Sequence, residues 1–489
     1  MAPARALHPA ITDLKHVVGD DGVLFRPEEL LLYEYDGSIE RGAPECVVFP
    51  RTTDEVSHIV RLAHRHDMKI VPRGAGTGLS GGSIARNGGI VLAFARMNRI
   101  VELDIENERA VVQPGVVNLD LTHAAEKHGY YFAPDPSSQK ACTIGGNVAE
   151  NSGGPHTLSL GVTVNHVTGM TVVLPDQVGS VLRLGSKCAQ TPGYDLTGFF
   201  TGSEGTLGIV TEIIVKLIRL PEKTATLLAI FDTIESAGET VEAITREGIT
   251  PAALEMLDGW MLRTVEAATH AGYPLDSGAV LLIELEGLSE AVEEQADAVA
   301  RVCASSGARE VRRAKDEREQ ALLWAGRKNA FGAIGRVAPS YYVQDGVIPR
   351  TKIAATLRKI EAVSKQHELV IGNIFHAGDG NLHPLILFDV RDPVQTQHAI
   401  AAGNEILEFC ISVGGSITGE HGVGMEKQDL MCRLFSTQDL IVMRMLRDAF
   451  NPAGALNPNK LLPSTKSCRE LSGIAPDWLA RAAAPKELA

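Results

Sequence analysis

The segment Pro72-Arg-Gly-Ala-Gly-Thr-Gly-Leu-Ser-Gly-Gly-Ser83 decides the fold of the N-terminal half of this chain. It follows a strand-like run that starts at Lys69, and it contains the G-x-G-x-x-G pattern of dinucleotide-binding loops. A Rossmann loop must open a long helix whose N-terminus holds the pyrophosphate. Here the next strand-like run already starts at Ile90, so no helix fits. The segment therefore predicts either an ordinary glycine-rich turn or an anion-binding nest of backbone N–H groups, and it excludes a Rossmann fold.

Two further glycine-rich segments favour the nest over the ordinary turn. The stretch from Pro134 to Pro155 has glycine pairs at 145–146 and 153–154, between amide and hydroxyl side chains. The stretch from Phe200 to Gly208 runs directly into a β-rich run. One nest would hold a single phosphate, whereas three nests that touch β-runs predict a long ligand with several phosphates, such as a dinucleotide.

Composition and charge exclude several classes of protein. The 489 residues include 46 basic and 60 acidic side chains, and the net charge of −14 argues against nucleic acid or an anionic membrane as the main partner. The N-terminus lacks the apolar core of a signal peptide, and no apolar run is long enough to span a bilayer, which predicts a cytoplasmic protein. The seven cysteines are odd in number and never form Cys-x-x-Cys, which argues against a disulfide framework and against an iron–sulfur cluster held by this chain. Redox chemistry would therefore need another cofactor.

The order of β-rich and helical runs predicts an α+β protein with four segments. Residues 1–40 form a polar helical segment, 41–220 a β-rich domain with one helix from about 52 to 66, and 464–489 a loosely attached tail. Strands and helices alternate through 221–463 after a boundary at Pro221. We expect this part to be an antiparallel sheet with helices on one face.

Histidines concentrate in Asn373-Ile-Phe-His-Ala-Gly-Asp-Gly-Asn-Leu-His-Pro384, and a further one lies in Gly419-Glu-His-Gly422. Imidazole and carboxylate suit a divalent cation such as zinc, and a site with two histidines and one acid leaves coordination positions open for a substrate. A pair of core histidines or a polar hairpin tip is the alternative. A six-residue loop over 377–382 would place His376 opposite His383 on one face, whereas a five-residue loop would pair His376 with Leu382 and turn His383 away.

Taken together, the three glycine-rich segments resemble the PCMH-type flavin-binding domain of the vanillyl-alcohol oxidase superfamily. The C-terminal half, with Trp324-Ala-Gly-Arg-Lys-Asn, the two histidine segments and Leu456-Asn-Pro-Asn-Lys-Leu, is similar to the FAD-linked 2-hydroxy acid oxidases, and in particular to the glycolate oxidase type. The resemblance extends over nearly the whole chain. It implies FAD bound in extended form between two α+β subdomains, with a cap domain that presents the substrate to the flavin ring.

The resemblance also implies which residues contact the cofactor. Some relatives attach the flavin covalently through a His or Cys of the first glycine loop, but residues 72–83 contain neither, so the FAD is predicted to be noncovalent. The implied FAD contacts are Pro72, Arg73, Gly74, Ala75, Gly76, Thr77, Gly78, Ser80, Gly81, Gly82, Pro134, Asp135, Gly145, Gly146, Asn147, Ser152, Gly153, Gly154, Glu204, Gly205, Ile209 and Asn457.

For the metal and the chemistry, the similar zinc-binding D-2-hydroxy acid dehydrogenases imply His376, His383 and Glu420 as ligands of zinc, or of manganese or iron. His421 is then the expected base, with a fourth ligand or an outer hydrogen-bond donor as alternatives. Arg327 is predicted to bind the substrate carboxylate through two parallel hydrogen bonds, with a surface arginine as the alternative.

The remaining positions near these motifs have weaker assignments. Lys328 is expected to be solvated, and Lys460 to be either near the flavin or on the surface after a turn. Leu385 stands where some relatives carry Asn, which favours a small substrate without a second carboxylate. Tyr341, Tyr342 and Gln344 are expected to line the pocket.

The predicted function is oxidation of a small 2-hydroxy acid, glycolate or D-lactate, to the 2-oxo acid, with hydride transfer to FAD. The resemblance implies a homo- or hetero-oligomer whose electrons pass to an iron–sulfur subunit, a second flavin subunit and quinone. This arrangement predicts a cytoplasmic protein at the periphery of the inner membrane. The alternatives are a stand-alone D-lactate or D-2-hydroxyglutarate dehydrogenase, a metallohydrolase that uses the three metal ligands, and a flavin-binding subunit without activity of its own.

Overall fold

The structure, a computed structural model, describes residues 9–188 and 192–463. The predicted tail at 464–489 and the first eight residues of the predicted N-terminal segment lie outside the described residues. No helix within the described ranges combines the length and the apolarity that crossing a bilayer requires.

The described residues of the N-terminal half form two sheets, a short strand pair and seven α-helices. Its strands are β1 Val23–Leu24, β2 Cys46–Val48, β3 Ile70–Arg73, β4 Ile90–Ala93, β5 Ile100–Asp104, β6 Arg109–Val112, β7 Tyr130–Tyr131, β8 Val167–Val173, β9 Val181–Gly185, β10 Ile209–Lys216 and β11 Ile218–Arg219. Its helices are α1 Pro9–Val18, α2 Pro27–Leu30, α3 Thr53–Arg65, α4 Asn118–Glu126, α5 Ile144–Glu150, α6 Thr157–Leu160 and α7 Leu196–Phe200. The sheets have the strand orders β1-β2-β4-β3 and β5-β6-β10-β8-β9, and β7 pairs with β11.

The first glycine-rich segment leaves the end of β3, as the sequence predicted. Strands β2, β4 and β3 are parallel, and α3 makes the crossover after Thr52, whose hydroxyl accepts a hydrogen bond from the Glu55 amide. Residues 74–89 contain no helix, which confirms the exclusion of a Rossmann loop. The second glycine-rich segment differs from the expectation, because residues 144–150 form the short helix α5 after the capping residue Thr143.

The C-terminal half is a mixed domain around one long sheet. Its strands are β12 Lys223–Phe231, β13 Ala253–Asp258, β14 Ala279–Gly287, β15 Glu310–Arg313, β16 Ser340–Val343, β17 Gly346–Val347, β18 Ile371–His376, β19 Asn381–Leu382 and β20 Pro384–Phe388. Its helices are α8 Ile234–Arg246, α9 Gly259–Thr269, α10 Ser289–Ser305, α11 Glu317–Lys328, α12 Ala330–Ile334, α13 Ile353–His367, α14 Pro393–Ser412, α15 Met431–Leu434 and α16 Thr437–Phe450. The sheet order is β15-β12-β14-β13-β18-β19-β17, and β20 joins β18 to β16. The pairings in this sheet are antiparallel, which confirms that part of the prediction.

Helices cover both faces of this sheet, so the expectation of helices on one face was wrong. Leu227 and Ala229 of β12 pack against α8 and α10, whereas Leu228 and Ile230 pack against α9 and α11. Successive side chains of a strand point to opposite faces, so a strand that is apolar at every position needs cover on both. The sequence already indicated cover on both faces, because every residue of Leu227–Phe231 is apolar.

Candidate active site

A cavity of about 350 Å³ lies between the two halves of the molecule. Glycine-rich backbone forms one side of it, and the opposite side is formed by C-terminal side chains, namely Lys328, Phe331, Tyr341, His383, Glu420 and His421. A site of this size between two domains, mostly apolar and with a few convergent polar groups, is typical of ligand binding.

Most of the predicted FAD contacts line this cavity or a smaller one beside it. The main cavity is lined by Pro72, Gly74, Ala75, Gly76, Thr77, Gly78, Gly82, Gly146, Asn147, Ser152, Glu204, Gly205 and Asn457. Arg73, Gly145 and Ile209 line the smaller cavity. Ser80, Gly81, Pro134, Asp135, Gly153 and Gly154 line neither, and Asp135 is instead bonded to His156. The sequence missed Ser138, Cys142 and Glu150, which also line the main cavity.

The first glycine loop has the form that an anionic ligand requires. Gly76 has φ +73°, and a Cβ built there would lie 2.2 Å from Arg73 Nη2. A Cβ on Gly74 would lie 2.4 Å from the Thr143 hydroxyl. The loop therefore approaches its neighbours more closely than any side chain permits, with its backbone N–H groups available to phosphate oxygens. These features fit a bound dinucleotide.

The three predicted metal ligands meet at one point of the cavity wall. Glu420 Oε1 lies 3.4 Å from His376 Nε2 and 3.1 Å from His383 Nε2. Ligand atoms of a tetrahedral zinc ion lie roughly 3.3–3.5 Å apart, given bonds of about 2.0–2.2 Å. Glu420 Oε2 has no hydrogen-bond partner among the described residues, although it is buried. The donor set therefore fits a divalent cation.

The turn of the hairpin that contains His376 and His383 has neither of the two lengths considered above. His376 pairs with Asn381 and Asn373 pairs with Pro384, so the turn has four residues, 377–380. The same register places His383 across from Ile374, two positions from His376. A register shift of two residues keeps every side chain on its face. The imidazoles therefore still lie on one face, with ring centroids 5.0 Å apart.

Each metal-facing imidazole is oriented by a hydrogen bond at its other nitrogen. His376 Nδ1 lies 2.7 Å from Glu255 Oε1, and His383 Nδ1 lies 3.3 Å from the Gln344 carbonyl oxygen. An Nδ1–H that donates to these acceptors leaves each Nε2 lone pair free for the cation. Burial alone would raise the pKa of Glu255, but Arg327 and His376 hold it below its ordinary value. The sequence offered no local signal for Glu255, because it is 121 residues from His376.

Asp345 holds the loop that carries Glu420, and sequence analysis missed this residue as well. It is fully buried, and its Oδ2 accepts from the backbone amides of Gly419, Glu420 and His421 at 3.0, 3.2 and 2.9 Å. Lys427 Nζ lies 3.4 Å from the same oxygen. Burial alone would raise the pKa of Asp345, but the nearby His421 and Lys427 hold it well below its usual range. Asp345 also lies within 4.8 Å of ligand atoms of His383 and His421, but its Oδ2 already accepts the hydrogen bonds of this loop.

Arg327 lies behind the metal ligands and does not line the cavity. Its side chain is 1% exposed, and its Nε and Nη2 atoms lie 2.7 and 2.6 Å from Glu255 Oε2. The guanidinium is thus bonded to the carboxylate that orients His376. The sequence-based alternative of a surface arginine is excluded by this burial.

His421 is placed beside the metal ligands on the cavity side. Its ring stacks on His383 at 4.9 Å between centroids, and its Nε2 lies 3.7 Å from Glu420 Oε1. Burial lowers the pKa of His421 to about 4, so its ring is neutral at neutral pH and has a free lone pair.

The weaker assignments divide between the cavity and its surroundings. Tyr341 lines the cavity, whereas Tyr342 and Gln344 are buried outside it. Lys460 is 1% exposed and donates to the Ile84 carbonyl oxygen at 2.7 Å, so it is not a surface lysine.

Comparison with known proteins relates both halves of the chain to FAD enzymes. Residues 44–185 match the family of the FAD binding domain, and residues 220–461 match the family described as FAD linked oxidases, C-terminal domain. The chain is 46% identical to the glycolate oxidase subunit GlcD of Escherichia coli K12, over 94% of this chain and 92% of that protein. It is 43% identical to the GlcD subunit of Bacillus subtilis (88% and 92% covered) and 31% identical to a D-lactate dehydrogenase of Anaerostipes hadrus (91% and 94% covered).

Solved structures agree at the level of the fold. p-Cresol methylhydroxylase with bound substrate superposes with a TM-score of 0.80 and 20% identity, covering 94% of this chain and 97% of that one. The comparisons confirm the predicted α+β fold of PCMH type, the resemblance to FAD-linked oxidases and FAD as the cofactor.

Proposed function

The chain belongs to the FAD-linked oxidase family, and from that premise we propose that it oxidises a small 2-hydroxy acid to the 2-oxo acid. The observation that carries the proposal is the convergence of His376, His383 and Glu420 on the cavity that the glycine-rich loops line. Bound FAD supplies the acceptor for the hydride that leaves the α-carbon of the substrate.

The two histidines and Glu420 would hold a divalent cation, zinc or else manganese or iron, which supplies Lewis-acid chemistry at the substrate hydroxyl. Glu255 and the Gln344 carbonyl group keep the imidazole Nε2 atoms directed at that position. Asp345 fixes the backbone of Glu420 by accepting a hydrogen bond from its amide. The ligands are therefore held by buried groups before any substrate arrives, which limits the reorganisation that the reaction needs.

His421 is proposed as the base that takes the hydroxyl proton at Nε2. Its neutral ring, its position on the cavity and its stacking on His383 support this role. A pKa of about 4 makes it a weak base on its own. A hydroxyl group made acidic by a cation at the three ligands is the proton donor that such a base can serve.

The contacts of Arg327 support an indirect role, in which it acts through Glu255. Its guanidinium bonds to Glu255, and Glu255 orients His376. Direct contact of Arg327 with the substrate carboxylate stays a prediction.

Glycolate and D-lactate are the proposed substrates. The proteins named as glycolate oxidase subunits at 46% and 43% identity favour glycolate, and the D-lactate dehydrogenase at 31% identity makes D-lactate the second candidate. Leu385 lies in the sheet core and does not line the cavity, so a substrate without a second carboxylate stays a prediction from the sequence.

Electrons are proposed to leave through partner subunits, namely an iron–sulfur protein and a second flavin subunit, with quinone beyond them. The names of both GlcD relatives describe subunits, which supports the existence of partners. We propose that the protein acts at the cytoplasmic face of the inner membrane.

The test is an anaerobic reduction experiment on the purified, metal-loaded protein. We expect the visible absorption of oxidised flavin to bleach on addition of glycolate or D-lactate, and not on addition of L-lactate. The faster substrate identifies the subtype, and D-2-hydroxyglutarate tests the stand-alone alternative. His421→Asn should slow bleaching by about 10²–10⁴-fold. A flavin that none of these acids bleaches would exclude the proposed reaction.

A further inference from the structure

A short segment of the N-terminal half lies against the sheet that contains the predicted metal ligands. This docking segment, residues 153–160, includes α6 and contacts both loops at the metal site. A Cβ built on Gly378, in the turn of the histidine hairpin, would lie 2.4 Å from Leu158 Cδ2. A Cβ built on Gly153 would lie 3.0 Å from Glu420 Oε2. Leu158 also packs against the core of the C-terminal half, so the docking segment connects the FAD-binding half to the metal site.

His156 of the docking segment lies between two carboxylates, one from each half of the molecule. Its Nδ1 lies 2.9 Å from Asp135 Oδ2, and its Nε2 lies 2.9 Å from Glu284 Oε1 on β14. A neutral imidazole has one N–H and one lone pair, so only the imidazolium donates to both carboxylates. Burial alone would lower the pKa of His156, but Asp135 and Glu284 raise it well above its ordinary value. The ring is therefore a cation that bridges the two halves.

The C-terminal side of this bridge is held by further hydrogen bonds. Trp324 Nε1 and the Thr226 hydroxyl, the latter at 3.3 Å, donate to Glu284 Oε2. The Trp324 ring stacks on the imidazole with 6.0 Å between ring centroids. Among the described residues, His156 alone lies within ion-pair distance of both Asp135 and Glu284. The other charged or titratable groups that face His156 or its partners are Glu286 of β14, Tyr131 of β7 and Lys328 of α11.

These three neighbours do not replace the imidazolium. Lys328 Nζ lies 3.7 Å from Asp135 Oδ2, which is too long for a hydrogen bond. Glu286 and Tyr131 have no cationic form, and burial raises the pKa of both. The attraction that holds the two bridging carboxylates together therefore depends on the proton of His156.

We propose that His156, as an imidazolium bonded to one carboxylate of each half, is a positioning residue that sets the spacing between the FAD loops and the predicted metal ligands. This inference rests on the proposed oxidation of a 2-hydroxy acid at that site. FAD is assigned to the loops of one half and the substrate to the ligands of the other, so the distance for hydride transfer depends on how the halves meet. A misplacement of about 1 Å can cost roughly 10²-fold in rate.

A competing arrangement leaves the spacing to other contacts between the halves. Glu204 of the N-terminal half accepts from the Val423 and Gly424 amides at 2.7 Å each. In that case His156 would only fill space in the interface, and its charge would not affect hydride transfer.

The two arrangements differ in their dependence on pH. The pKa of His156 lies above its ordinary value of 6.5 in the folded protein, so the stability from the bridge is fully present below pH 6.5. It is lost as the pH rises through the raised pKa of the folded state, because a neutral ring turns a lone pair towards one of the carboxylates. The proposed role predicts that flavin reduction slows over the same alkaline range.

The experiment compares His156→Asn and His156→Arg with a control, His128→Asn, which removes an exposed histidine just after α4. Anaerobic flavin reduction by glycolate is followed on the FAD- and metal-loaded protein at neutral and alkaline pH, and it gives a limiting rate and a half-saturating concentration. Calorimetric unfolding over the same pH range gives a second readout that needs no substrate. Asparagine removes the charge, whereas the guanidinium of arginine stays charged and has donors for two carboxylates.

For His156→Asn at neutral pH we expect the limiting reduction rate to fall by roughly 10- to 100-fold, with the half-saturating concentration changed much less. Its Tm should lie below that of wild type at neutral pH, and the difference should shrink as the pH rises. His156→Arg should recover most of the rate and hold it at alkaline pH, where wild type slows. His128→Asn should match wild type in both readouts. If neither substitution of His156 retains FAD, Glu284→Gln removes the charge of one partner and gives the same comparison.

Two outcomes would overturn the assignment of His156. A wild-type reduction rate in His156→Asn at every pH would leave the spacing to other contacts, and equal losses in the asparagine and arginine variants with unchanged pH profiles would indicate a structural role only. Failure of the proposed function is distinguishable from both, because the flavin of the wild-type protein would then stay oxidised with every 2-hydroxy acid. The positioning role would fall with it, whereas the Tm difference between wild type and His156→Asn would still report the bridge.

Discussion

Replacing Asp345 by Asn should weaken the metal site and the stability of the fold together. The carboxylate accepts from three consecutive amides and from the Thr418 hydroxyl at 2.5 Å, and it balances the charge of Lys427, which is 2% exposed. An amide keeps one acceptor oxygen, presents N–H groups to donors and removes the ion-pair partner of Lys427. Removing one partner of a buried ion pair costs about 3–5 kcal/mol, which for a chain of 489 residues corresponds to a fall in Tm of roughly 3–5 °C.

The loss should also reach the metal, because Glu420 is one of the residues that Asp345 holds. Outer hydrogen-bond partners of metal ligands are typically worth about 10–100-fold in metal affinity. The assays are calorimetric unfolding with and without added zinc, and zinc titration against a competing chelator. Asp389→Asn is the matched control, since Asp389 pairs with the exposed Arg391 at the end of β20 and should change neither quantity. Asp345→Asn with the Tm and zinc affinity of wild type would refute the role of this carboxylate.

Three further predictions address the cofactor, the metal and a buried lysine. Gly76→Ala should lose FAD during gel filtration, because the φ of +73° and the contact with Arg73 disfavour a Cβ at this position. Gly332→Ala is the control and should retain FAD, because a Cβ there has open space. Equal flavin content in the two variants would contradict this prediction. Chelation followed by dialysis should abolish turnover while the flavin spectrum persists, and zinc should restore it; full activity in the metal-free protein would exclude a catalytic metal. Burial lowers the pKa of Lys460 to about 8 from its ordinary value of 10.5. Below pH 8 the lysine is charged in both states and its unfavourable burial is fully present, and between pH 8 and 10.5 the folded protein releases the proton first. The free energy of unfolding of wild type should therefore rise over that range by up to about 3 kcal/mol relative to Lys460→Met, and parallel curves from denaturant titrations would refute the shift.

Local sequence predicted several elements because their signals lie within a few residues. The absence of a Rossmann helix followed from the short distance between the first glycine loop and the next strand, and the structure has no helix there. The helix predicted from about 52 to 66 is Thr53–Arg65, since its acidic first turn and capping threonine lie at its own end. Of the two loop lengths considered for the histidine hairpin, only the six-residue one put His376 and His383 on one face. The structure also has them on one face with a shorter turn, because only the parity of the register matters.

Neighbouring residues 327 and 328 show where local sequence stops being informative. Both are basic, both lie in the last turn of one helix, and the sequence assigned the substrate to Arg327 and solvent to Lys328. In the structure Arg327 is bonded to Glu255, and Lys328 lines the cavity. The face that each side chain takes depends on how the helix packs against a strand 72 residues away in sequence, and no pattern within the helix records that distance.

The sequence by itself determined the flavin-binding domain type and the FAD cofactor, because its glycine loops and histidine segments resemble those of a known family within short stretches. It also named His376, His383 and Glu420 as predicted metal ligands, and the structure brings these three together. Only the tertiary structure decided which groups hold those residues in place. Glu255 reaches His376 across 121 positions, and Asp345 reaches the amide of Glu420 across 75. A carboxylate serves in this way only when folding buries it beside its partners, where the low dielectric strengthens each bond and leaves any unpaired charge costly. Burial of this kind is a property of the packed chain and not of any segment of it.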